Sequence, residues 1–359
     1  MDVAPSHRWG QAYVYAASVP AARKRPTIRD VASATGLSVA AVSYALRGTH
    51  VSEETQERVR RVAGELGYEA HPIARALASG RTGMIGLLCG SLEDLWQQRL
   101  AAGIGHELLG RERYALIVGA GGDPERELTL ARQLIDRRVE ALVVSPLDPS
   151  ASTWCELAGI VPIVSIGDSL KDARTAGEVL FDNRAGVTMA LEHLHELGHS
   201  RVAVLTPTRA STPDRPAELH VTAEADRLGL EVAIVSSSHD LAEAAVAARD
   251  VLSRQRRPTA LFCFSDSIAY GAYSAAKELG LSIPADLSVA GYDDQPVSRL
   301  LSPALTTFAW DVDRIIAATV RLVMAAVDRR PQRRRIVQSP RLCRRESTAG
   351  APAHNWRPA

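Results

Sequence analysis

The chain has 359 residues, 46% of them hydrophobic and 23% charged, with a formal net charge of +1 at pH 7. That balance excludes disorder of the whole chain, the absence of any apolar run of about 18 residues excludes a membrane-spanning helix, and length alone accommodates two or three domains at roughly 100–200 residues each. The four cysteines, Cys89, Cys155, Cys263 and Cys343, form no CxxC pair, so neither a disulfide scaffold nor a zinc module is implied. Charge is uneven along the chain. Residues 21–82 carry ten basic and six acidic side chains, a net +4, whereas residues 83–359 sum to −3. A small cationic segment on a larger acidic body suits a nucleic-acid-binding head on a regulatory domain; a solvated surface with chance clustering is the other reading.

Residues 1–25 show no amphipathic period and read as a flexible extension or an upstream start. They lack the basic start and continuous apolar core of a signal peptide. From Thr27 the pattern turns helical in short pieces. Thr27 is an N-cap with Asp30 in the first turn, and Ile28, Val31 and Ala32 share a face. Gly36 breaks that helix. Ser38 caps a second helix over Val39–Leu46 with Val42, Ala45 and Leu46 facing inward. Ser52 caps a third, whose Val59, Val62, Ala63 and Leu66 form an inward stripe ended by Gly67. Three short helices, the first two joined by a Gly-containing turn, describe a helix-turn-helix unit.

Past Arg81 the period changes. Short apolar runs at Met84–Leu88, Ala115–Val118, Ala141–Val144, Ile163–Ile166, Arg201–Leu205, Ala260–Phe264 and Leu287–Ala290 alternate with helical stretches such as Ala101–Leu109 and Arg126–Ile135. This βαβ rhythm predicts parallel sheets covered on both faces. The stretch is too long for one sheet, so two doubly wound lobes with a ligand cleft at the strand ends are expected.

Taken together, Thr27-Ile28-Arg29-Asp30-Val31-Ala32, Gly36-Leu37-Ser38 and Val42-Ser43 resemble the DNA-binding head of the LacI/GalR family of transcriptional regulators. The resemblance continues through Val51-Ser52-Glu53-Glu54-Thr55, Leu66-Gly67-Tyr68, Ala74-Arg75-Ala76-Leu77 and Arg81-Thr82-Gly83-Met84-Ile85-Gly86. Farther on, Gly122-Asp123-Pro124-Glu125, Asp182-Asn183-Arg184-Ala185-Gly186, Leu197-Gly198-His199, Gly291-Tyr292-Asp293-Asp294 and Arg345-Glu346-Ser347-Thr348 resemble the effector domain. The family implies an all-α helix-turn-helix head plus an α/β effector domain of two doubly wound lobes, like that of periplasmic binding proteins. The implied divisions are an extension at 1–25, a DNA-binding domain at 26–70, a hinge helix and linker at 71–82, an effector-binding and dimerisation domain at 83–349 and a tail at 350–359.

The implied function is a repressor that binds a pseudo-palindromic, double-stranded DNA operator as a homodimer, in the cytoplasm at the nucleoid. A sugar, or a sugar-like or nucleoside-like effector, would sit in the interlobe cleft. By position, Val39, Ala40 and Tyr44 read bases, Ser38 and Ser43 face phosphates, and Thr27 joins the DNA-contacting set. The alternative for Val39 and Ala40 is plain core. Neither can donate a bidentate hydrogen bond to a base, so direct readout is thin. More falls to the hinge, where His71, Arg75 and the wedge residue Leu77 would enter the minor groove, unless the segment is an ordinary linker. The stretch Ala70-His71 departs from the Pro-Asn of many members.

The effector contacts carried over are Asp94, Trp96, Asp168, Arg215, Asp266 and Asp293. Trp96 would stack on a sugar ring, and Asp266 or Asp293 would accept hydroxyl hydrogen bonds. Asp293 could equally cap a turn, and Asp94 and Asp168 could be surface groups. The segment around Arg215 lacks the Gly-Phe that often follows in the family. No GxSxG, P-loop, GxGxxG after a strand or HExxH is present, so no enzyme activity, cofactor or metal site is expected. Control by a partner protein, DNA binding without an effector, or a solute-binding protein are the competing functions. The Arg-rich stretch after Val327 has no leucine heptads, so a dimer rather than a tetramer is expected, with Ala101–Leu109 as a candidate interface helix.

Overall fold

The computed structural model describes residues 26–68, 81–207, 214–330 and 334–352. The chain divides into two compact units, one ending at Gly80 and the other beginning at Arg81.

The first unit contains α1 (Ile28–Thr35), α2 (Val39–Arg47) and α3 (Glu53–Glu65). Each start is set by a side chain that satisfies a free backbone group. The backbone N–H and the hydroxyl of Thr27 donate to the Asp30 carboxylate at 2.7 and 2.8 Å. Ser38 Oγ accepts from Ala41 N–H at 3.1 Å, and Ser52 Oγ from Thr55 N–H at 3.4 Å. Gly36, at φ 70°, ends α1 in the left-handed conformation that the turn requires. Val31, Ala32, Val42, Ala45, Val59 and Ala63 form the core of this unit. Leu66, expected on the inward stripe, is 38% exposed. It caps α3 beyond the turn that buries Ala63.

The second unit has two lobes. The first is a six-stranded sheet made of β1 (Met84–Cys89), β2 (Tyr114–Gly119), β3 (Ala141–Val144), β4 (Ile163–Gly167), β5 (Gly177–Phe181) and β11 (Arg335–Gln338). Its order is β11-β5-β4-β3-β1-β2 and every pairing is parallel. Helices α4 (Leu95–Leu109) and α11 (Val312–Val327) cover one face, through Leu100, Ile104, Leu108, Ile315 and Leu322. Helices α5 (Pro124–Asp136) and α6 (Thr153–Ile160) cover the other, through Ala131, Leu134, Trp154 and Leu157.

The second lobe is a parallel sheet of order β7-β6-β8-β9, with β6 (Arg201–Pro207), β7 (Glu231–Ser237), β8 (Ala260–Cys263) and β9 (Ser288–Ala290). Its helices are α7 (Asn183–Glu196), α8 (Asp214–Leu228), α9 (Leu241–Leu252) and α10 (Asp266–Glu278). The chain passes between the lobes after β5, between β10 (Thr307–Ala309) and α11, and between β11 and β12 (Arg341–Cys343); β10 and β12 pair antiparallel.

The seven predicted apolar runs all form strands. The pattern did not foretell β5, β7, β10, β11 or β12. In β5, Glu178 interrupts the apolar run, and its charge is taken up by Arg335 Nε at 2.7 Å from the neighbouring strand. Helix α4 begins earlier than the predicted Ala101, because Asp94 caps it and accepts from Trp96 N–H at 2.9 Å. Among the described residues no helix is long and apolar enough to cross a membrane.

Candidate functional site

In the first unit, α2 turns Val42 and Ala45 into the core and leaves Val39 (43% exposed), Ala40 and Tyr44 (39% exposed) facing out. That outward set is the one the resemblance assigns to base reading. Ser38 is exposed and spends its hydroxyl on the helix cap, and Ser43 is half-buried. Thr27 is exposed and tied to Asp30. The structure adds two neighbours that the sequence did not single out. The Arg47 guanidinium lies over the Tyr44 ring, 5.1 Å from its centroid, and His50 packs edge-on at 5.1 Å. A cation over one face and an imidazole at the edge restrict the Tyr44 ring to one orientation. Arg29, Arg58, Arg60 and Arg61 are also exposed on this unit, where cations can neutralise phosphates. His71, Arg75 and Leu77 lie outside the described residues.

In the second unit, both lobes and the crossover segments line an open cavity of about 620 Å³. Arg99 of α4 lines it from the first lobe, and Asp293, Asp294 and Arg299 line it from the loop after β9. Trp310, Asp311, Asp313, Ser339 and Arg341 contribute from the crossovers. Aromatic rings bridge the lobes beside it: Trp96 packs edge-on to Phe181 at 5.2 Å, Phe181 lies 4.7 Å from Trp310, and Trp310 lies 5.7 Å from Tyr292.

Of the effector candidates with described side chains, Asp293 lines this cavity. It is buried and holds φ at 109°, a strained value for a residue with a side chain. Asp294, at φ 48°, follows it and is clamped by Arg345 and by Arg299 at 3.0 Å. Burial opposes ionisation of Asp294, but the two guanidinium groups outweigh it and hold its carboxyl below the usual range.

Asp266 has a different place. It has no exposed surface, and its carboxylate accepts from Ser298 Oγ and Thr307 Oγ1 at 2.5 Å each and from Gln295 N–H at 2.7 Å. Those contacts join the loop after β9 to β10, and they leave no side-chain surface for a ligand. Burial pushes its pKa up to about 6, against the pull of those hydrogen bonds.

Asp168, just past β4, is half-buried, its buried Oδ2 has no hydrogen-bond partner among the described residues, and burial raises it to about 6. Asp94 is buried as the cap of α4. Trp96 is 2% exposed, and the stacking expected on a sugar ring is replaced by packing against Phe181. Arg215 stands in the first turn of α8, which starts at Asp214; the Arg215 side chain lies outside what the structure describes. Missed from the sequence were Arg99, Arg299, Trp310, Ser339 and Arg341, since nothing local marks a residue as lining a cavity built from distant segments.

Several motif residues hold the second lobe together instead of facing the cleft. His199 ring nitrogens bond Thr259 Oγ1 at 2.8 Å and Ser288 Oγ at 3.0 Å. Ser347 Oγ donates to the Val289 carbonyl at 2.6 Å and accepts from Thr306 N–H at 2.8 Å.

Comparison with known proteins agrees with this division. The profile of bacterial regulatory proteins of the lacI family matches residues 27–71, and that of the periplasmic binding protein-like domain matches residues 191–348. The regulator MalR of Streptomyces coelicolor is 34% identical over 351 residues, covering 92% of this chain and 99% of its own. The ribose operon repressor of Haemophilus influenzae is 31% identical over 286 residues, covering 78% and 86%. Among solved structures, the Lac repressor dimer bound to operator and an anti-inducer superimposes with a TM-score of 0.79 at 24% identity, over 91% of this chain and 100% of that one. With head and body matched in order, and with relatives above 30% identity over most of their lengths, this chain belongs to the lacI family of bacterial regulatory proteins.

Proposed function

We propose that this protein is a transcriptional repressor of the bacterial cytoplasm that binds a pseudo-palindromic operator as a homodimer and answers to a small-molecule effector held between its lobes. The observation that carries this reading is the outward set Val39, Ala40 and Tyr44 on a capped α2, within a three-helix unit rich in exposed arginine. Val39 and Ala40 can pack on thymine methyl groups, and Tyr44 offers one hydroxyl. Segment 71–77, with Leu77 as wedge, would supply further discrimination by bending the duplex at its centre. Asp293, which lines the interlobe cavity, is the carboxylate proposed to meet the effector.

The test is selection of DNA fragments retained by the purified full chain, followed by anisotropy on the selected and a scrambled duplex. Specific binding is expected to weaken by at least roughly tenfold between about 50 and about 200 mM salt. Deleting residues 1–80 should abolish it. Equal binding by the truncated chain would overturn the reading.

A further inference from the structure

The interlobe cavity has charged walls, and its charges are not equally committed. Asp294 is neutralised by Arg299 and Arg345. Asp311 is turned to the helix it caps, accepting from Arg314 N–H at 3.0 Å, and Asp313 sits in the first turn of the same helix, where the helix dipole favours an anion. Asp293 is buried and engaged. Two of the arginines differ. Arg99 has no ion pair or hydrogen bond among the described residues. Arg341 reaches Cys343 Sγ at 3.3 Å and no carboxylate among the described residues. The two come from opposite sources, a first-lobe helix and a crossover strand. Trp310, 5% exposed, also lines the cavity, while its indole N–H is itself buried and has no acceptor among the described residues.

From these uncommitted guanidinium groups we infer that the effector is an anionic polyol: a sugar-sized ligand whose carboxylate or phosphate is gripped by Arg99 and Arg341, whose ring lies against Trp310 and whose hydroxyls meet the Asp293 carboxylate. This rests on the effector reading above and narrows it. A guanidinium pair fits a carboxylate or a phosphate equally, because both offer two coplanar acceptor oxygens to a forked donor. The cavity volume suits a hexose-sized molecule. The ligand would also tie the lobes together, since Arg99 and Arg341 stand on different segments.

The experiment is calorimetric titration of the full chain with D-gluconate, D-glucuronate, D-glucose 6-phosphate and D-glucose. The inference expects at least one of the three anions to bind and D-glucose to bind at least about tenfold more weakly. Binding of the sugar acids alone identifies a carboxylate, and binding of the phosphate ester alone a phosphoryl group. Arg99→Gln and Arg341→Gln should each weaken the bound anion by about tenfold or more, and Arg341→Lys should recover part of it. Both side chains are exposed and make no ion pair among the described residues, and the far-UV spectrum of each variant reports its folding independently. D-glucose binding as tightly as the anions, no anion binding at all, or anion binding unaffected in both Gln variants would overturn the inference. Operator binding by the same preparation separates the two levels. Intact operator binding without anion binding sinks only the effector class, whereas loss of specific DNA binding sinks the broader reading.

Discussion

Asp266 and Glu127 show what a buried carboxylate does when it is not a ligand contact. Asp266 gathers two hydroxyls and a backbone N–H from the loop after β9 and from β10. Asp266→Ala leaves those three buried donors without an acceptor, so unfolding free energy should fall by roughly 3 kcal/mol or more, read as a lower urea midpoint. Glu127, on α5, has no exposed surface, and both its oxygens accept from Leu147 N–H, at 2.9 and 3.0 Å. Burial is the largest influence on it and pushes its pKa from the usual 4.5 up to about 8. The folded chain therefore keeps this proton over a range where the unfolded chain has lost it. Stability from this group is present below about pH 4.5 and declines as pH rises towards about 8. In Glu127→Gln the fall in urea midpoint between those two pH values should shrink. An unchanged pH dependence would mean that Glu127 is ionised in the folded state.

At the scale of single elements, the starts of helices are legible because capping is a local transaction. Asp123 before Pro124, Asp182 before α7, Asp240 before α9 and Asp311 before α11 each accept from a backbone N–H two or three residues on. How closely two helices approach is not local. A Cβ placed on Gly271 of α10 would stand 2.5 Å from Ala244 Cβ and 2.7 Å from Ala245 N of α9. Because the obstacle includes backbone, Gly271→Ala must push the helices apart, at about 1–3 kcal/mol. A melting temperature within error of the parent would show that α9 yields freely.

For the whole molecule, one edge of each sheet carries exposed apolar side chains. β2 edges the first sheet with Tyr114 (62% exposed) and Ile117 (42%), beside Leu109 (57%) on α4. β7 edges the second with Ile234, beside Leu241 and Val246 on α9, all exposed. Edge strands with exposed apolar side chains invite a partner, and the proposed occupant is a second copy of this chain. Sedimentation at micromolar concentration should give a dimer, both for the full chain and for residues 81–359. Leu109→Glu combined with Val246→Glu should raise its dissociation constant by at least about tenfold. A monomeric parent, or a tetramer, would refute this assembly.

What the amino-acid sequence determined by itself is what neighbours within one or two turns decide. The caps at Thr27, Ser38 and Ser52, the outward placement of Val39, Ala40 and Tyr44, seven strands and the alternation that makes two doubly wound lobes all follow from short-range hydrogen bonds and hydrophobic period. Only the tertiary structure decided the chemistry of the cleft. Asp266 and Asp293 both follow a strand in the second lobe, yet one is walled in by hydroxyls and the other lines the cavity. Trp96 looked like a stacking platform and is buried against Phe181 of a later strand. Asp294 is neutralised by Arg345, far along the chain, while Arg99 and Arg341 have no carboxylate partner among the described residues. A charge is committed or free according to which segments the fold brings within a few ångströms of it, and no local pattern carries that information.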